Sequence, residues 1–381
     1  MDARDPLAVA RALIQCPSVT PAEAGSLDVL QNLLEPLGFV CTRRRDGPPG
    51  AEIDNLFARL GEGRPHLCFA GHTDVVPPGD EAAWSAGPFA AEVRDGELIG
   101  RGACDMKGGV ACSVAALARH VAENGRSSGS LSLLVTTDEE GKAEHGTRAV
   151  VRWLAETGQA PDACILGEPT NPSELGDLAK IGRRGSLTGE LVVEGRQGHT
   201  AYPGQADNPI PRLLAMLQAL LEPLDGGTDN FEPSDLQITS IDVGNPTRNV
   251  IPARVRALFN VRFNDRFTAD TLEAALRRRC EQPGGRFDLF CESNADAFVT
   301  PPGALSEQLC EAVEAELGRR PTLGTAGGTS DARFIKDLCP VVEFGLVGAT
   351  MHGVDERVRV ADLETLTRIY QRVIDRFFQG V

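Results

Sequence analysis

Lysine is nearly absent from this 381-residue chain, which carries only Lys107, Lys142, Lys180 and Lys336 among 38 basic residues. Against them stand 54 acidic residues, for a formal net charge of −16. That balance excludes nucleic acid as a partner, because phosphate binding needs a basic face. A metal cation or a cationic ligand is electrostatically easier to accommodate. No apolar run approaches the ~18 residues that a membrane-spanning helix needs. Met1–Pro6 has neither a basic region nor an apolar signal core, so a cytoplasmic location and no membrane partner are expected. The ten Cys residues include no C-x-x-C pair, which leaves them as reduced, small apolar residues. A P-loop is missing too, as is a G-x-S-x-G elbow at a strand-to-helix turn, so neither nucleotide cradling nor a serine nucleophile is indicated.

What is present is an ordinary globular composition, 41% hydrophobic and 24% charged. The length predicts two domains. Asp5-Pro6 opens a capped amphipathic helix, and a second runs through Leu27, Leu30 and Leu34 to Gly38. The short apolar run His66–Gly71 reads as a strand buried on both faces, Ser130–Thr137 as a strand and Ala163–Leu166 as a further buried strand. With the helices between them they give an α/β layer architecture. From about Arg183 the order becomes β-α-β-β-α-β: strand Ser186–Glu194, helix Pro209–Leu221, strands Leu236–Val243 and Val250–Phe263, helix Ala269–Cys280, strand Phe287–Glu292. This matches a ferredoxin-like split unit. Beyond Ala295 a helix-rich pattern resumes, including Asp331–Asp337 and a final helix through Leu363–Phe377. The expectation is a catalytic domain of residues 1–180 and 296–381, with 181–295 inserted as an α+β domain.

Each buried run ends in groups that carry chemistry: His72-Thr73-Asp74, Asp138-Glu139-Glu140 and Glu168. In α/β sheets ligands bind beyond the carboxyl ends of strands. Clustered carboxylates raise one another's pKa unless positive charge sits among them. A divalent metal resolves that conflict, and mixed His and carboxylate ligation suits zinc. Asp74 is placed to orient the His72 ring rather than to bind metal. Of the adjacent pair Glu139 and Glu140, one can ligate while its neighbour serves as base. Gly100–Gly109 sets glycines around Asp105, where they would let backbone approach a ligand and let both Asp105 oxygens bridge two metals. Met351-His352-Gly353 supplies a second imidazole. His199 stands on a Gly- and Pro-flanked loop, and Gly327–Asp331 precedes a helix whose free N–H groups could hold a carboxylate or simply be capped.

Taken in order, these pieces resemble the zinc aminoacylase/carboxypeptidase family of metallohydrolases over nearly the whole chain. The resemblance is strengthened by Gly182-Arg183-Arg184-Gly185-Ser186, His199–Pro203, Asn249-Val250-Ile251-Pro252 and Gly327–Asp331. It implies a mixed-sheet zinc-hydrolase domain with an inserted ferredoxin-like lid and dimerisation domain. It further implies two Zn²⁺ per subunit, with Co²⁺ able to substitute. Asp105 would bridge them, His72 and Glu168 completing one site and Glu140 and His352 the other. Glu139 would be the general base, assisted by Asp74. His199 would steady the oxyanion from the partner subunit of a homodimer. Arg183, Asn249, Arg262 and Thr329 would contact a small anionic amino-acid substrate, since guanidinium binds carboxylate through paired bonds. The implied reaction is hydrolysis of an N-acyl amino acid that carries an extra carboxylate. An acetyl-amino-acid deacylase or metallocarboxypeptidase is the alternative, and a non-catalytic metal-binding relative is a further one. The chain departs from the pattern at Gly348, where many members carry Asn, and over Gly353–Glu356.

Overall fold

The computed structural model describes residues 1–125 and 128–379. The chain divides into two compact units. One comprises Met1–Ile181, Thr300–Gly324 and Ser330–Val381, the other Gly182–Val299 and Thr325–Thr329.

The first unit is built on an eight-stranded mixed sheet. In spatial order its strands are Val40–Asp46, Ile53–Leu60, Ser130–Thr136, His66–His72, Ala163–Leu166, Val341–Glu343, Leu178–Lys180 and Thr322–Gly324. His66–His72 lies parallel to both Ser130–Thr136 and Ala163–Leu166. Every residue of these three strands is buried, which explains why apolar residues predominate in them. The helix Lys107–Asn124 is buried along most of its length. Its start lies against the main chain beyond Ala163–Leu166, for a Cβ on Gly109 would stand 2.3 Å from the Gly167 carbonyl oxygen. Gly108 and Gly109 therefore allow backbone to pack on backbone. Gly102 adds a left-handed φ of +88°, a conformation that disfavours a side chain.

The expected helix over Asp331–Asp337 shrinks to Ala332–Ile335. Asp331 makes no side-chain cap, and the Ser330 hydroxyl donates instead to Glu343 Oε1 at 2.8 Å. The capping reading of this stretch therefore does not describe it. Among the described residues, no helix is long and apolar enough to cross a membrane.

The second unit carries a four-stranded antiparallel sheet in the order Asp235–Asp242, Arg254–Phe263, Gly185–Glu194, Phe287–Ala295. Helices Pro209–Leu220 and Ala269–Glu281 contribute Leu213, Met216, Leu217, Leu220, Leu272 and Leu276 to its core. Leu187, Leu191, Val255, Phe259 and Phe263 supply the facing side. The strand expected over Val250–Phe263 is interrupted at Pro252, which lacks an N–H for the ladder; Val250–Ile251 pairs separately with Gly198–His199. Thr325–Thr329, expected with the outer segments, belongs to this unit. Arg183 Nη1 donates to the Gly328 carbonyl at 2.9 Å and the Thr325 hydroxyl to that of Asn230 at 2.5 Å.

Gly109→Ala is expected to cost about 1–3 kcal/mol by overpacking, because the obstructing atom is main chain and cannot swing aside. A lowered urea midpoint measures it, and an unchanged midpoint would contradict the packing described.

Candidate metal centre

His72 ends its strand, Glu139 and Glu140 follow Ser130–Thr136, and Glu168 follows Ala163–Leu166. Because the three strands are parallel neighbours, these side chains collect at one edge of the sheet. Two loops complete the cluster. One brings Asp105 just ahead of helix Lys107–Asn124, to which it leads through a cis peptide to Met106. The other carries His352, whose φ of +61° is unusual for a residue with a side chain.

Asp105 stands between two imidazoles. Its Oδ1 lies 3.3 Å from His72 Nε2 and its Oδ2 lies 3.2 Å from His352 Nε2. Glu168 Oε1 and Glu139 Oε2 are each 3.9 Å from His72 Nε2, and Glu140 Oε1 is 2.9 Å from His352 Nε2. His72, Asp105 and Glu168 offer three ligand atoms within 4.8 Å of one another, and so do Asp105, Glu140 and His352. His72, Glu139 and Glu140 form a third such group.

The donor chemistry fits divalent cations. His72 Nε2 and Asp105 Oδ1 are buried and, among the described residues, make no hydrogen bond of acceptable geometry. Such an atom costs about 1–3 kcal/mol when nothing compensates it. Imidazole nitrogen with carboxylate oxygen is a zinc-compatible set.

The electrostatics point the same way. Burial pulls the His72 pKa down, yet Asp105, Glu139, Asp74 and Glu168 together raise it well above the usual value. His352, hydrogen-bonded to Asp105 and Glu140, is raised to about 10. Burial works against the Asp105 carboxylate, but the two imidazoles hold its pKa below the ordinary range. Glu139 is raised well above its usual value, first by burial and then by Glu168, Asp331 and Glu140, against the pull of His72. The site draws positive charge onto its imidazoles because its acids outnumber them.

Asp74 is fully buried, and its main-chain carbonyl, not its carboxylate, is the nearer partner of the His72 ring. Nδ1 lies 2.9 Å from that carbonyl oxygen and 3.6 Å from Oδ1. The carboxylate accepts the main-chain N–H groups of Glu139 and Glu140 at 3.2 and 3.0 Å. Asp74 thus holds both the ring and the turn that carries the two glutamates. Its pKa is raised to about 6, chiefly by burial.

The remaining expected residues lie in the second unit. His199 is exposed, with its Nε2 3.4 Å from Asn249 Nδ2, and Thr200 N–H donates to the Asn249 carbonyl at 3.0 Å. Arg183 is buried, while Arg262 and Thr329 are partly exposed. Burial and nearby Arg184 lower the Arg262 pKa. At Gly348 a Cβ would stand 3.0 Å from the Pro169 carbonyl oxygen, so a larger side chain is crowded there.

Sequence reasoning missed Glu356. Its side chain is completely buried and accepts main-chain N–H groups from Gly102, Cys104 and Asp105. An acidic residue four positions after His352 was its only trace.

The chain matches the model of Peptidase family M20/M25/M40 over residues 68–376. It is 60% identical over 380 residues to a succinyl-diaminopimelate desuccinylase of Rhodospirillum centenum, covering 99% of this chain and 98% of that one. In fold it is similar to an M20 family metallo-carboxypeptidase from Sulfolobus solfataricus, with a TM-score of 0.79 at 15% identity over 99% of both chains. A dinuclear metal-binding M20 peptidase from Bacillus subtilis aligns with a TM-score of 0.72 at 16% identity, covering 99% of this chain and 98% of that one.

Metal-free protein provides a check on the charge balance. A raised imidazole pKa contributes stability that is complete below the unfolded value of about 6.5 and is lost as pH rises through the folded value of about 10. The melting temperature of chelator-stripped protein should therefore fall as pH rises between about 6.5 and 8.5. Added zinc should oppose that fall, because ligation requires deprotonated imidazole. A flat profile without metal would contradict the charge balance described.

With its mixed α/β fold, its acid-and-imidazole cluster and this match across most of its length, the chain belongs to peptidase family M20/M25/M40.

Proposed function

We propose that this chain hydrolyses N-succinyl-L,L-2,6-diaminopimelate to succinate and L,L-2,6-diaminopimelate, in diaminopimelate and lysine biosynthesis. The observation that carries the reading is 60% identity, over nearly the whole of both chains, to a relative named for that reaction. The proposed ligands of two zinc ions are His72 and Glu168 on one side, Glu140 and His352 on the other, with Asp105 shared. The opposed placement of the two Asp105 oxygens toward His72 and His352 supports that sharing. Divalent metals bound there supply Lewis acidity and make water a nucleophile near neutral pH.

Glu139 takes a proton from the attacking water as its oxygen bonds to the amide carbon. When the C–N bond breaks, Glu139 passes that proton to the leaving amine nitrogen. Burial and neighbouring carboxylates raise the proton affinity of Glu139, which suits a group that must accept a proton and then give it up. Asp74 positions this base through the Glu139 and Glu140 N–H groups. His199 is proposed to donate to the oxyanion, from the partner subunit of a homodimer. Arg183, Asn249, Arg262 and Thr329 are proposed to contact the substrate's carboxylate and polar groups. Such an enzyme would work in the cytoplasm, and Co²⁺ would replace Zn²⁺.

Glu139→Gln should lower kcat by about 10²–10⁴ while bound metal, read by elemental analysis, is unchanged. Retained turnover would remove Glu139 from the role of base. For the substrate, side-by-side turnover of succinyl-diaminopimelate and acetylornithine is decisive. The succinyl compound should have the higher kcat/KM, and the reverse order would favour an acetyl-amino-acid deacylase.

A further inference from the structure

A buried carboxylate outside the proposed ligand set, that of Glu356, stands four residues after His352 and binds the loop that carries Asp105. Glu356 Oε1 accepts the N–H groups of Cys104 at 2.9 Å and Asp105 at 3.1 Å. Its Oε2 accepts the N–H of Gly102 at 3.0 Å and Arg101 Nη1 at 2.7 Å. Arg101, itself 2% exposed, extends Nη2 to the His352 carbonyl at 3.3 Å. Cys104 Sγ also donates to Oε1 at 3.3 Å and the Glu356 carbonyl accepts Gly100 N–H at 2.8 Å, so Glu356 is tied to Gly100–Asp105 at six points.

We infer that Glu356 is a positioning residue of the metal centre, fixing Asp105 and His352 relative to each other so that Asp105 presents one oxygen toward each imidazole. The inference rests on the metal-site reading above. Side-chain donors alone could not do this work, because the Asp105 side chain takes its direction from its own main chain. Three N–H groups of one loop converging on one carboxylate set that direction. Hydrogen bonds from main-chain N–H to a charged acceptor are about twice as strong as neutral ones. The carboxylate is also the only common side chain with two acceptor-only oxygens. Glutamine has nearly the same shape but must turn an NH₂ toward donors at one of its two ends. It therefore breaks the cradle without opening a cavity.

The test is Glu356→Gln in the full chain, stripped with chelator and titrated with Zn²⁺, then with Co²⁺ for its visible absorption. Wild-type protein should bind two ions. The variant should bind at least one of them about 10–100-fold more weakly, the usual cost of losing a group that orients a ligand, and its Co²⁺ spectrum should shift. A lower melting temperature with unchanged affinity and a superimposable Co²⁺ spectrum would make Glu356 merely structural and overturn the inference. Failure of wild-type protein to bind any metal would instead strike at the metal-site reading. Should far-ultraviolet dichroism show Glu356→Gln unfolded, Glu356→Asp replaces it. That variant keeps the charge but withdraws the carboxylate by one methylene, and the same two outcomes apply.

Discussion

Too many carboxylates share one buried edge of the sheet for the protein to hold them without added positive charge. Asp74, Asp105, Glu139, Glu140 and Glu168 surround two imidazoles, and most of these groups are withdrawn from water. Repulsion among them is strong at low dielectric, and burial alone disfavours every ionised form. The imidazoles answer by holding protons far more tightly than they would in water. Two divalent cations would meet the same demand more completely and leave both imidazoles free to bind through their lone pairs.

The rest of the first unit can be understood as the frame that keeps this unfavourable cluster assembled. Parallel neighbouring strands deliver His72, Glu139, Glu140 and Glu168 to one edge. Main-chain groups then fix the details. The Asp74 carboxylate holds the turn of the two glutamates while its carbonyl holds the His72 ring. Gly109 lets the helix after Asp105 lie on the Gly167 carbonyl. Glu139 and Glu168 both face His72 at 3.9 Å, and burial together with neighbouring carboxylates raises the proton affinity of Glu139.

Much of the frame was legible in the sequence because burial on both faces leaves a plain mark. Leu67–Gly71 and Ala163–Leu166 are continuous apolar runs, Leu131–Val135 is apolar but for Ser132, and each is followed closely by a His or Glu. The β-α-β-β-α-β unit was equally plain, since its strands alternate and its helices carry a clear apolar stripe. Three-residue strands such as Glu92–Arg94, Glu97–Ile99 and Arg357–Arg359 are too short to show any period, and they were not foreseen. Pro252 was readable as a strand breaker, and passing over it merged two strands into one. Thr329 was expected with the outer segments because chain order says nothing of the Arg183–Gly328 and Thr325–Asn230 bonds that hold its loop. Glu356 stayed hidden for a deeper reason. Three of its partners are main-chain N–H groups, which every residue but proline carries, so no residue type announces them. The family resemblance supplied what spacing could not, the sharing of Asp105.

The central claim is that the cluster exists to hold two divalent cations, and metal content tests it most directly. Protein purified without added metal, then dialysed against limiting Zn²⁺, should take up two ions per chain, and His352→Ala should reduce that number or its affinity. Uptake of no ions, or binding indifferent to the loss of His352, would contradict the account.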